Sequence, residues 1–445
     1  MDLIRNLFKG DKAIWIVFLL LCTISLIEVF SASSFLTYKS GNHWAPISSH
    51  LSILMVGAVI VLVTHMIPCK WFRLFVLLLP LSWLLLSVLF VLGSFTNGAR
   101  RWLDLGFIHF QPSELAKMGI VIAVALILSR LQEEDGANKK AMKYILMITG
   151  ITCAFIVTEN LSTAMLICIT VYLMMIIGRV PWKQLLKLGG VVAAILITSL
   201  SVIKFVPAQT WRKVGIHRMV TWQNRIDDFL NPQETPAAKF DVENNAQVAH
   251  ANIAIATSNI IGKGPGNSIQ RDFLSQAFSD FIYAIVIEEL GLIGGAIVAL
   301  LYIILLMRIG KIARNCDQSF YAFLVMGIGL MIVSQAVFNM MVAVGLAPVT
   351  GQPLPLISKG GTSTLINCAY IGMVLSISRH VNELKEKEAR EEAEKAALME
   401  AGNEGTMPNE MNSLNEKSEE EPILKKAKKH FALKSHFLFI TLHDK

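Results

Sequence analysis

Acidic side chains beside long apolar segments are the residues of this chain best placed to do chemistry. Asp280 ends the one long polar segment of the chain, and Glu288 and Glu289 follow within the apolar stretch that comes next. A carboxylate close to hydrocarbon is costly, so such residues are more often functional than incidental. Asp280 can act as a general base or as the N-cap of the helix that follows it. The residues alone favour the two roles equally.

Basic residues near other apolar segments can hold an anionic group. Arg100 and Arg101 precede Trp102 in a polar segment, and Lys117 follows Glu114 by about one helical turn. Arginine binds phosphate oxygens through two parallel hydrogen bonds, whereas Trp102 also suits a membrane interface. A Glu–Lys pair at this spacing can equally be a structural ion pair. A site for a phosphorylated ligand and a structural helix start both stay open at this point.

Two segments rich in glycine and proline also lie close to apolar stretches. Residues 348–361 contain three prolines and three glycines, which enforce an irregular backbone. At membrane depth such a backbone is tolerated only where it is buried in protein or lines a cavity. Lys359 adds a further basic group there. Residues 262–268 read Gly-Lys-Gly-Pro-Gly-Asn-Ser, which permits approach to an anion but is more simply a tight turn.

The elements that position these residues are predicted to be membrane-spanning helices. Of 445 residues, 54% are hydrophobic and 16% charged, and the mean hydropathy is +0.54, unlike a soluble domain. Crossing a bilayer takes about 20 apolar residues. The sequence therefore predicts an all-α membrane protein, a polytopic bundle of about ten transmembrane helices with one long extracytoplasmic loop. The predicted spans are 14–34, 48–67, 72–93, 113–131, 143–159, 162–178, 185–205, 281–307, 320–345 and 363–380.

Basic residues also predict the orientation of the bundle. Fifteen Lys and Arg residues fall in the short segments on one side and four on the other, and cytoplasmic loops carry the excess. Both termini are therefore expected in the cytoplasm. The predicted parts are a cytoplasmic segment at 1–13, a membrane domain at 14–380 that includes the extracytoplasmic loop 206–280, and a charged, mostly disordered cytoplasmic tail at 381–445.

Charge and cysteine content exclude two classes of function. A net charge of +7 in a membrane protein reflects the cytoplasmic bias and anionic lipid headgroups, so no nucleic-acid partner is predicted. The six cysteines form no CxxC pair and most fall in predicted spans. Neither a disulfide framework nor a cysteine metal site is indicated.

Four blocks of this sequence carry a resemblance to a known family. The chain resembles the SEDS proteins (shape, elongation, division and sporulation) across about residues 14–380, with the four blocks in the family's order. The early Gly10-Asp11-Lys12 and the long charged tail are more similar to FtsW, the division member, than to RodA. The blocks are Gly98-Ala99-Arg100-Arg101-Trp102-Leu103, Gln111-Pro112-Ser113-Glu114-Leu115-Ala116-Lys117, Ser279-Asp280-Phe281-Ile282 with Glu288-Glu289-Leu290-Gly291, and Pro348 to Gly361.

The resemblance implies an activity, a location and partners. It implies a peptidoglycan glycosyltransferase that polymerises lipid II into a nascent glycan strand, outside the cytoplasmic (inner) membrane and at the division septum. The implied partners are a class B penicillin-binding protein, as transpeptidase, and other divisome membrane proteins. A divalent cation, Mg or Mn, is implied by the family alone, because the sequence shows no ligand cluster for it.

With this resemblance Asp280 is the expected catalytic base. It would deprotonate the 4-hydroxyl of the acceptor GlcNAc, and the displacement would invert the anomeric centre. Undecaprenyl pyrophosphate leaves as an anion and needs cations rather than the second carboxylate of a hydrolase; Arg101, Lys117 or a metal would stabilise it. The expected substrate-binding residues are Arg100, Arg101, Trp102, Glu114, Lys117, Lys359, Glu288 and Glu289.

A different class of function fits the same composition. Ten spans with intramembrane charge also suit a transporter that flips a lipid-linked cell-wall precursor, in which Glu114 and Lys117 would line the pathway. A third possibility is a divisome scaffold, a role that would not require the carboxylate of Asp280. The position of the essential residues discriminates between the classes, because a polymerase gathers them outside the membrane and a flippase also needs charges near the midplane.

Overall fold

The structure is a computed structural model, and part of the chain lies outside its description. It describes residues 9–33, 45–92, 94–96, 99–104, 109–157, 160–205, 220, 222–223, 246–274 and 277–403. Much of the predicted loop 206–280, and the tail beyond 403, therefore lie outside the described residues.

The described residues form a helical bundle, which confirms the predicted fold class. In these ranges nine helical segments are long and apolar enough to cross a membrane, and one further apolar helix is 17 residues long. The α-helices are α1 (Lys12–Ala32), α2 (Ala45–Met66), α3 (Leu78–Leu92), α4 (Pro112–Arg130), α5 (Lys139–Val157), α6 (Leu161–Ile177), α7 (Trp182–Phe205), α8 (Ala246–Ala256), α9 (Ile282–Arg314), α10 (Ser319–Ala343) and α11 (Gly361–Asn403). A 3₁₀ helix, Cys69–Leu77, leads into α3.

Burial differs strongly among these helices. Helix α4 is buried along most of its length, as are α10 and the first part of α11, whereas α7 is exposed on nearly all sides. An apolar helix that is exposed in the protein alone is covered by lipid in a membrane. The centre of the bundle is thus built from α4, α10 and α11.

Short strands precede α4, where the sequence analysis predicted only a polar segment. Strand β1 (Ser94–Thr96) pairs with β2 (Ala99–Asp104), and β2 pairs with β3 (His109–Phe110), all antiparallel. A second pair, β4 (Gln132–Glu133) and β5 (Gly136–Ala137), joins α4 to α5. The first sheet fixes the backbone that carries Arg100 and Arg101, and the end of the bundle on which it lies is termed here the loop face.

A bidentate ion pair joins the first helix to α9 at the opposite end of the bundle. Asp11 is the N-cap of α1 and accepts hydrogen bonds from the backbone N–H of Ala13 (2.9 Å) and Ile14 (3.3 Å). The same carboxylate accepts from Nη2 (2.6 Å) and Nε (3.1 Å) of Arg308. Two hydrogen bonds from one guanidinium to one carboxylate fix the relative orientation of the two side chains as well as pairing their charges.

Helix α9 is broken at Gly291, where the chain folds a loop against it. Gly291 has a φ of 75°, so the helix leaves backbone groups without intrahelical partners around this residue. Residues 259–264 supply the partners. The four hydrogen bonds run from Leu292 N to Asn259 O (3.3 Å), Ile293 N to Ile260 O (3.3 Å), Lys263 N to Glu288 O (3.0 Å) and Gly264 N to Glu289 O (2.8 Å).

The tail begins as a continuation of α11. This helix runs without interruption from Gly361 to Asn403, and its residues beyond Val381 whose burial is described are almost all exposed. The first part of the predicted tail is therefore helical, and the predicted disorder beyond residue 403 falls outside the described residues.

The break in α9 generates a prediction about stability. The substitution Gly291→Ala is expected to lower Tm strongly, because a φ of 75° disfavours any side chain and a Cβ would lie 2.2 Å from Ile260 O. The backbone conformation alone costs about 1–3 kcal/mol. Thermal unfolding of the detergent-solubilised protein measures the effect.

Gly310 of the same helix is the matched control. A Cβ there meets nothing within 4 Å, and alanine is favoured over glycine in a helix by about 1 kcal/mol. Gly310→Ala should keep or raise Tm. Equal Tm values for the two variants would show that the loop does not depend on the break.

Candidate active site

Asp280 lies in the turn that leads into α9 and not in the helix itself. The N-cap of α9 is Phe281, which makes no side-chain capping hydrogen bond. The side chain of Asp280 is partly exposed, and its Oδ1 accepts a hydrogen bond from Ser279 Oγ at 3.0 Å. The N-cap role that the sequence left open is therefore wrong for Asp280 in this structure.

Asp280 and Arg101 meet at Gly351. A methyl group built on Gly351 would lie 3.5 Å from Asp280 Oδ2 and 3.8 Å from Arg101 Nη1. Gly351 has a φ of 68° and keeps this space open because it has no side chain. Three distant segments, β2, the turn before α9 and the segment after α10, thus bring a carboxylate and a guanidinium to one point.

The segment 348–360 is bound to the turn that carries Asp280. Ser358 Oγ donates to Ser279 O at 2.6 Å and accepts from Leu354 N at 2.7 Å. The backbone N–H of Lys359 donates to Phe278 O at 2.9 Å. These bonds hold an irregular backbone in place without regular secondary structure, as the sequence predicted for a Gly- and Pro-rich segment buried in protein.

The start of α6 binds the same segment from another side. Gln352 Nε2 donates to Thr163 Oγ1 at 2.8 Å, and Ser162 Oγ donates to Thr350 O at 3.0 Å. Helix α6 is itself capped there by Asn160, whose Oδ1 accepts from Thr163 N at 3.2 Å. The residues on either side of Gly351 are thus anchored to a helix end.

Glu114 and Lys117 form the ion pair that their spacing predicts. Lys117 Nζ lies 2.9 Å from Glu114 Oε1 and donates to Gln335 Oε1 at 2.8 Å. Lys117 is 1% exposed and Glu114 3%. Gln335 Nε2 in turn donates to Pro353 O at 2.9 Å, so the pair is linked to the segment at Gly351. Substrate contact by Glu114 or Lys117 stays a prediction.

Lys359 is partly buried beside the Asp280 turn. Its Nζ lies 5.7 Å from the centroid of the Phe278 ring, a cation–π geometry. Burial lowers the pKa of the Lys359 ammonium from its ordinary value. The predicted second cation therefore lies on the loop face, beside the ring of Phe278, which precedes Asp280 by two residues.

Glu288 and Glu289 lie elsewhere, and the folded loop 263–271 binds their oxygens. Both are fully buried. Glu288 pairs with Lys263 Nζ at 2.6 Å and accepts from Ser268 Oγ at 2.5 Å. Glu289 accepts from Gly266 N at 2.9 Å and also from Ser31. The backbone of 262–268 thus approaches an anion, but that anion is a carboxylate of the protein itself. The substrate-binding role predicted for the two carboxylates stays a prediction.

Two predicted residues share the strand with Arg101. The backbone of Arg100 belongs to β2, and its side chain lies outside the described part of the chain. Trp102 is partly buried, and the pairing of β1 with β2 shifts by one residue at this point. Substrate binding by Arg100 and Trp102 stays a prediction.

Sequence reasoning missed the polar residues of α10. Gln335 and Asn339 are both 1% exposed, and Asn339 Nδ2 donates to Asp280 O and to Gln352 O, each at 2.8 Å. The available signal was two amides four residues apart in an otherwise apolar span, which places them on one helix face.

The predicted divalent cation has no side-chain cluster in the described ranges. No group of three or more His, Cys, Asp or Glu in those ranges is arranged to hold a metal ion. Mg²⁺ and Ca²⁺ prefer several oxygen ligands, often more than one carboxylate. The described side chains by themselves do not assemble such a set, and the divalent cation stays a prediction.

The buried ion pair generates a prediction about stability. Lys117→Met is expected to lower the free energy of unfolding by about 3–5 kcal/mol, because it leaves the Glu114 charge buried without its partner. Adding Glu114→Gln should recover part of that loss. Thermal unfolding in detergent is the measurement, and Lys140→Met, at an exposed lysine, is the control. An unchanged Tm for Lys117→Met would contradict a structural role for the pair.

Comparison with known proteins places this architecture in a family. Residues 11–383 match the FtsW/RodA/SpoVE family model, described as cell cycle protein. The chain is 31% identical over 379 residues to the probable peptidoglycan glycosyltransferase FtsW of Coxiella burnetii, covering 82% of this chain and 95% of that one. It is 26% identical over 376 residues to the peptidoglycan glycosyltransferase MrdB of Escherichia coli K12, covering 83% and 94%.

A solved structure shares the fold. The match is to a chain in a structure described as structural coordination of polymerization and crosslinking by a peptidoglycan synthase complex. The TM-score is 0.65 at 24% identity, covering 84% of this chain and 98% of that one. With a family model that spans nearly all of the helical bundle, the chain belongs to the FtsW/RodA/SpoVE family of cell cycle proteins.

Proposed function

We propose that this chain is a peptidoglycan glycosyltransferase that polymerises lipid II during septal cell-wall synthesis. The observation that carries the proposal is the meeting of Asp280 and Arg101 at Gly351. A carboxylate able to take a proton lies there beside a cation able to bind phosphate oxygens. Two of the relatives are named peptidoglycan glycosyltransferases, which supports the same activity.

The chemistry of glycosyl transfer matches this pair of groups. Asp280 would take the proton from the 4-hydroxyl of the acceptor sugar as that oxygen attacks the anomeric carbon of the donor. The bond to the pyrophosphate breaks at the same carbon, with inversion. The leaving group departs as an anion, so a guanidinium is more useful there than an acid. Arg101 would bind it, and Lys359 lies on the same face of the bundle.

The position of the charged residues favours a polymerase over a transporter. Asp280, Arg101 and Lys359 lie in turns and a strand at one end of the bundle, where a substrate headgroup outside the membrane would react. The buried carboxylates Glu288 and Glu289 are occupied by loop 263–271. A pathway residue would instead be expected to face a route through the bundle.

Orientation and partner complete the proposal. The chain is a multi-pass membrane protein of a cell cycle family. We assign the loop face to the outside of the cytoplasmic membrane and both termini to the cytoplasm, because the basic residues concentrate at the opposite end. A class B penicillin-binding protein is the proposed partner, and the structural relative described as part of a peptidoglycan synthase complex supports it. Lipid II would be the substrate of the glycosyl transfer.

The first test concerns the proposed base. Asp280→Asn keeps the shape of the side chain and removes its ability to accept a proton, so polymerisation of labelled lipid II should fall about 10²–10⁴-fold. Asp280→Glu should recover little, since displacement of the carboxylate by about 1 Å can cost 10²-fold. Asp272→Asn is the matched control, because that carboxylate is exposed in the same loop. Glycan synthesis by folded Asp280→Asn at the normal rate would remove Asp280 from catalysis.

The second test concerns orientation. Asp272→Cys, on the loop face, should react with an impermeant thiol reagent in intact cells with a permeabilised outer layer. Lys385→Cys, on the exposed part of α11, should react only after lysis. The unaltered chain, with its six native cysteines, measures the background. The reverse labelling pattern would place the Asp280 site in the cytoplasm and end the proposal that it acts on an extracytoplasmic substrate.

A further inference from the structure

Two buried amides of α10, Gln335 and Asn339, bind backbone carbonyls at the loop face. Gln335 and Asn339 lie four residues apart, so both project from one side of the helix. Each is 1% exposed in a span that is otherwise almost entirely apolar. A buried amide is costly unless it is hydrogen-bonded. The NH₂ groups of both amides donate to backbone carbonyls of loop-face segments.

The amide of Asn339 binds two carbonyls at once. Its Nδ2 donates to Asp280 O and to Gln352 O, each at 2.8 Å. Its Oδ1 is buried with no hydrogen-bond partner in the described part of the chain. Because both partners are acceptors, only the NH₂ group can face them. The position therefore uses the donor of the amide and not its acceptor.

These two carbonyls belong to the two backbones that form the proposed site. One is the carbonyl of Asp280 itself. The other belongs to Gln352, the residue after Gly351, where Asp280 Oδ2 and Arg101 Nη1 converge. A single NH₂ group thus bonds both the Asp280 carbonyl and the residue after Gly351, in addition to the bonds that Ser358 and Lys359 make to the same turn.

Gln335 repeats the arrangement one turn away. Its Nε2 donates to Pro353 O at 2.9 Å, and its Oε1 accepts from Lys117 Nζ at 2.8 Å. The backbone of Gln352 and Pro353 is therefore held at two successive carbonyls by one face of α10. Helix α10, a long and mostly buried span, acts as the rigid reference for the site.

We propose that Asn339 is a positioning residue for glycosyl transfer, a role that rests on the function proposed above. Its NH₂ group holds the Asp280 backbone against Gln352, so that the carboxylate stays beside Gly351 and Arg101. Loss of the donor lets the turn before α9 move relative to the 351–353 segment. A shift of about 1 Å in a catalytic group can cost 10²-fold in rate, whereas binding of the long lipid substrate through its other contacts is retained.

The test uses Asn339→Asp, which keeps the size of the side chain and its acceptors and removes the NH₂ donor. The catalytic constant for lipid II polymerisation should fall at least about tenfold, with KM changed by less than about twofold. Asn315→Asp is the matched control, because that amide donates to Lys311 O at 2.9 Å at the opposite end of the bundle. Wild-type turnover by folded Asn339→Asp would overturn the proposal.

A double-mutant cycle separates positioning from general stability. In the Asp280→Asn background the base is already lost, so adding Asn339→Asp should lower the residual rate by less than about threefold, since residues that act as a unit are not additive. Full multiplication of the two losses would overturn the proposal while leaving Asp280 as the base. Normal activity of Asp280→Asn alone would instead end the proposed mechanism, and the role of Asn339 with it.

A second pair of variants covers the case in which Asn339→Asp does not fold. Asn339→Ser keeps one O–H donor, and Asn339→Ala keeps none. At equal Tm the serine variant should turn over lipid II several-fold faster than the alanine variant. Equal rates at equal Tm would overturn the proposal. Failure of all three variants to fold, beside a folded Asn315→Asp control, would assign Asn339 to stability and overturn it as well.

Discussion

The structure depends on one constraint: within a membrane bundle, the backbone N–H and C=O groups must find their hydrogen-bond partners inside the protein. The segment 348–360 contains too much proline and glycine to form a helix, so few of its backbone groups bond to one another. Three other parts of the chain supply partners instead. Asn339 and Gln335 of α10 donate to Gln352 O and Pro353 O, Ser162 of α6 donates to Thr350 O, and Phe278 O accepts from Lys359 N. The requirement for hydrogen bonds therefore determines where the segment lies.

This constraint also builds the candidate site. Because the segment is held by α6, α10 and the turn before α9, Gly351 is placed between the ends of these elements. Asp280 Oδ2 and Arg101 Nη1 approach it there. A site held on several rigid elements is preorganised, and preorganised charges act more strongly on a developing anion than mobile ones. The hydrogen bonds that hold the segment in place thus also fix the position at which the Asp280 carboxylate lies.

The break in α9 obeys the same rule at a second place. Gly291 interrupts the helix, and residues 259–264 bind the backbone groups that the break releases. The loop that continues from there places its N–H groups and Lys263 on Glu288 and Glu289. The sequence marks these two carboxylates as candidate functional residues, and in the fold they accept hydrogen bonds from this loop. Their burial is possible because each is paired and hydrogen-bonded.

The sequence by itself determined the helical membrane bundle and the approximate positions of its apolar helices, and it marked Asp280 and Arg101 as candidate site residues. Hydrophobic length and the cost of charge near hydrocarbon act locally along the chain, so a local pattern carries them. The spacing of Glu114 and Lys117 likewise determined their ion pair, because a helix turn is a local geometry. Only the tertiary structure decided that Asp280 and Arg101 meet at Gly351, that Glu288 and Glu289 bind a loop, and that Gln335 and Asn339 hold the site. Those outcomes depend on which distant segment satisfies which buried polar group. Hydrogen bonds between residues as far apart as Ser162 and Thr350 leave no trace in the local pattern, because any buried donor of suitable reach satisfies the same carbonyl.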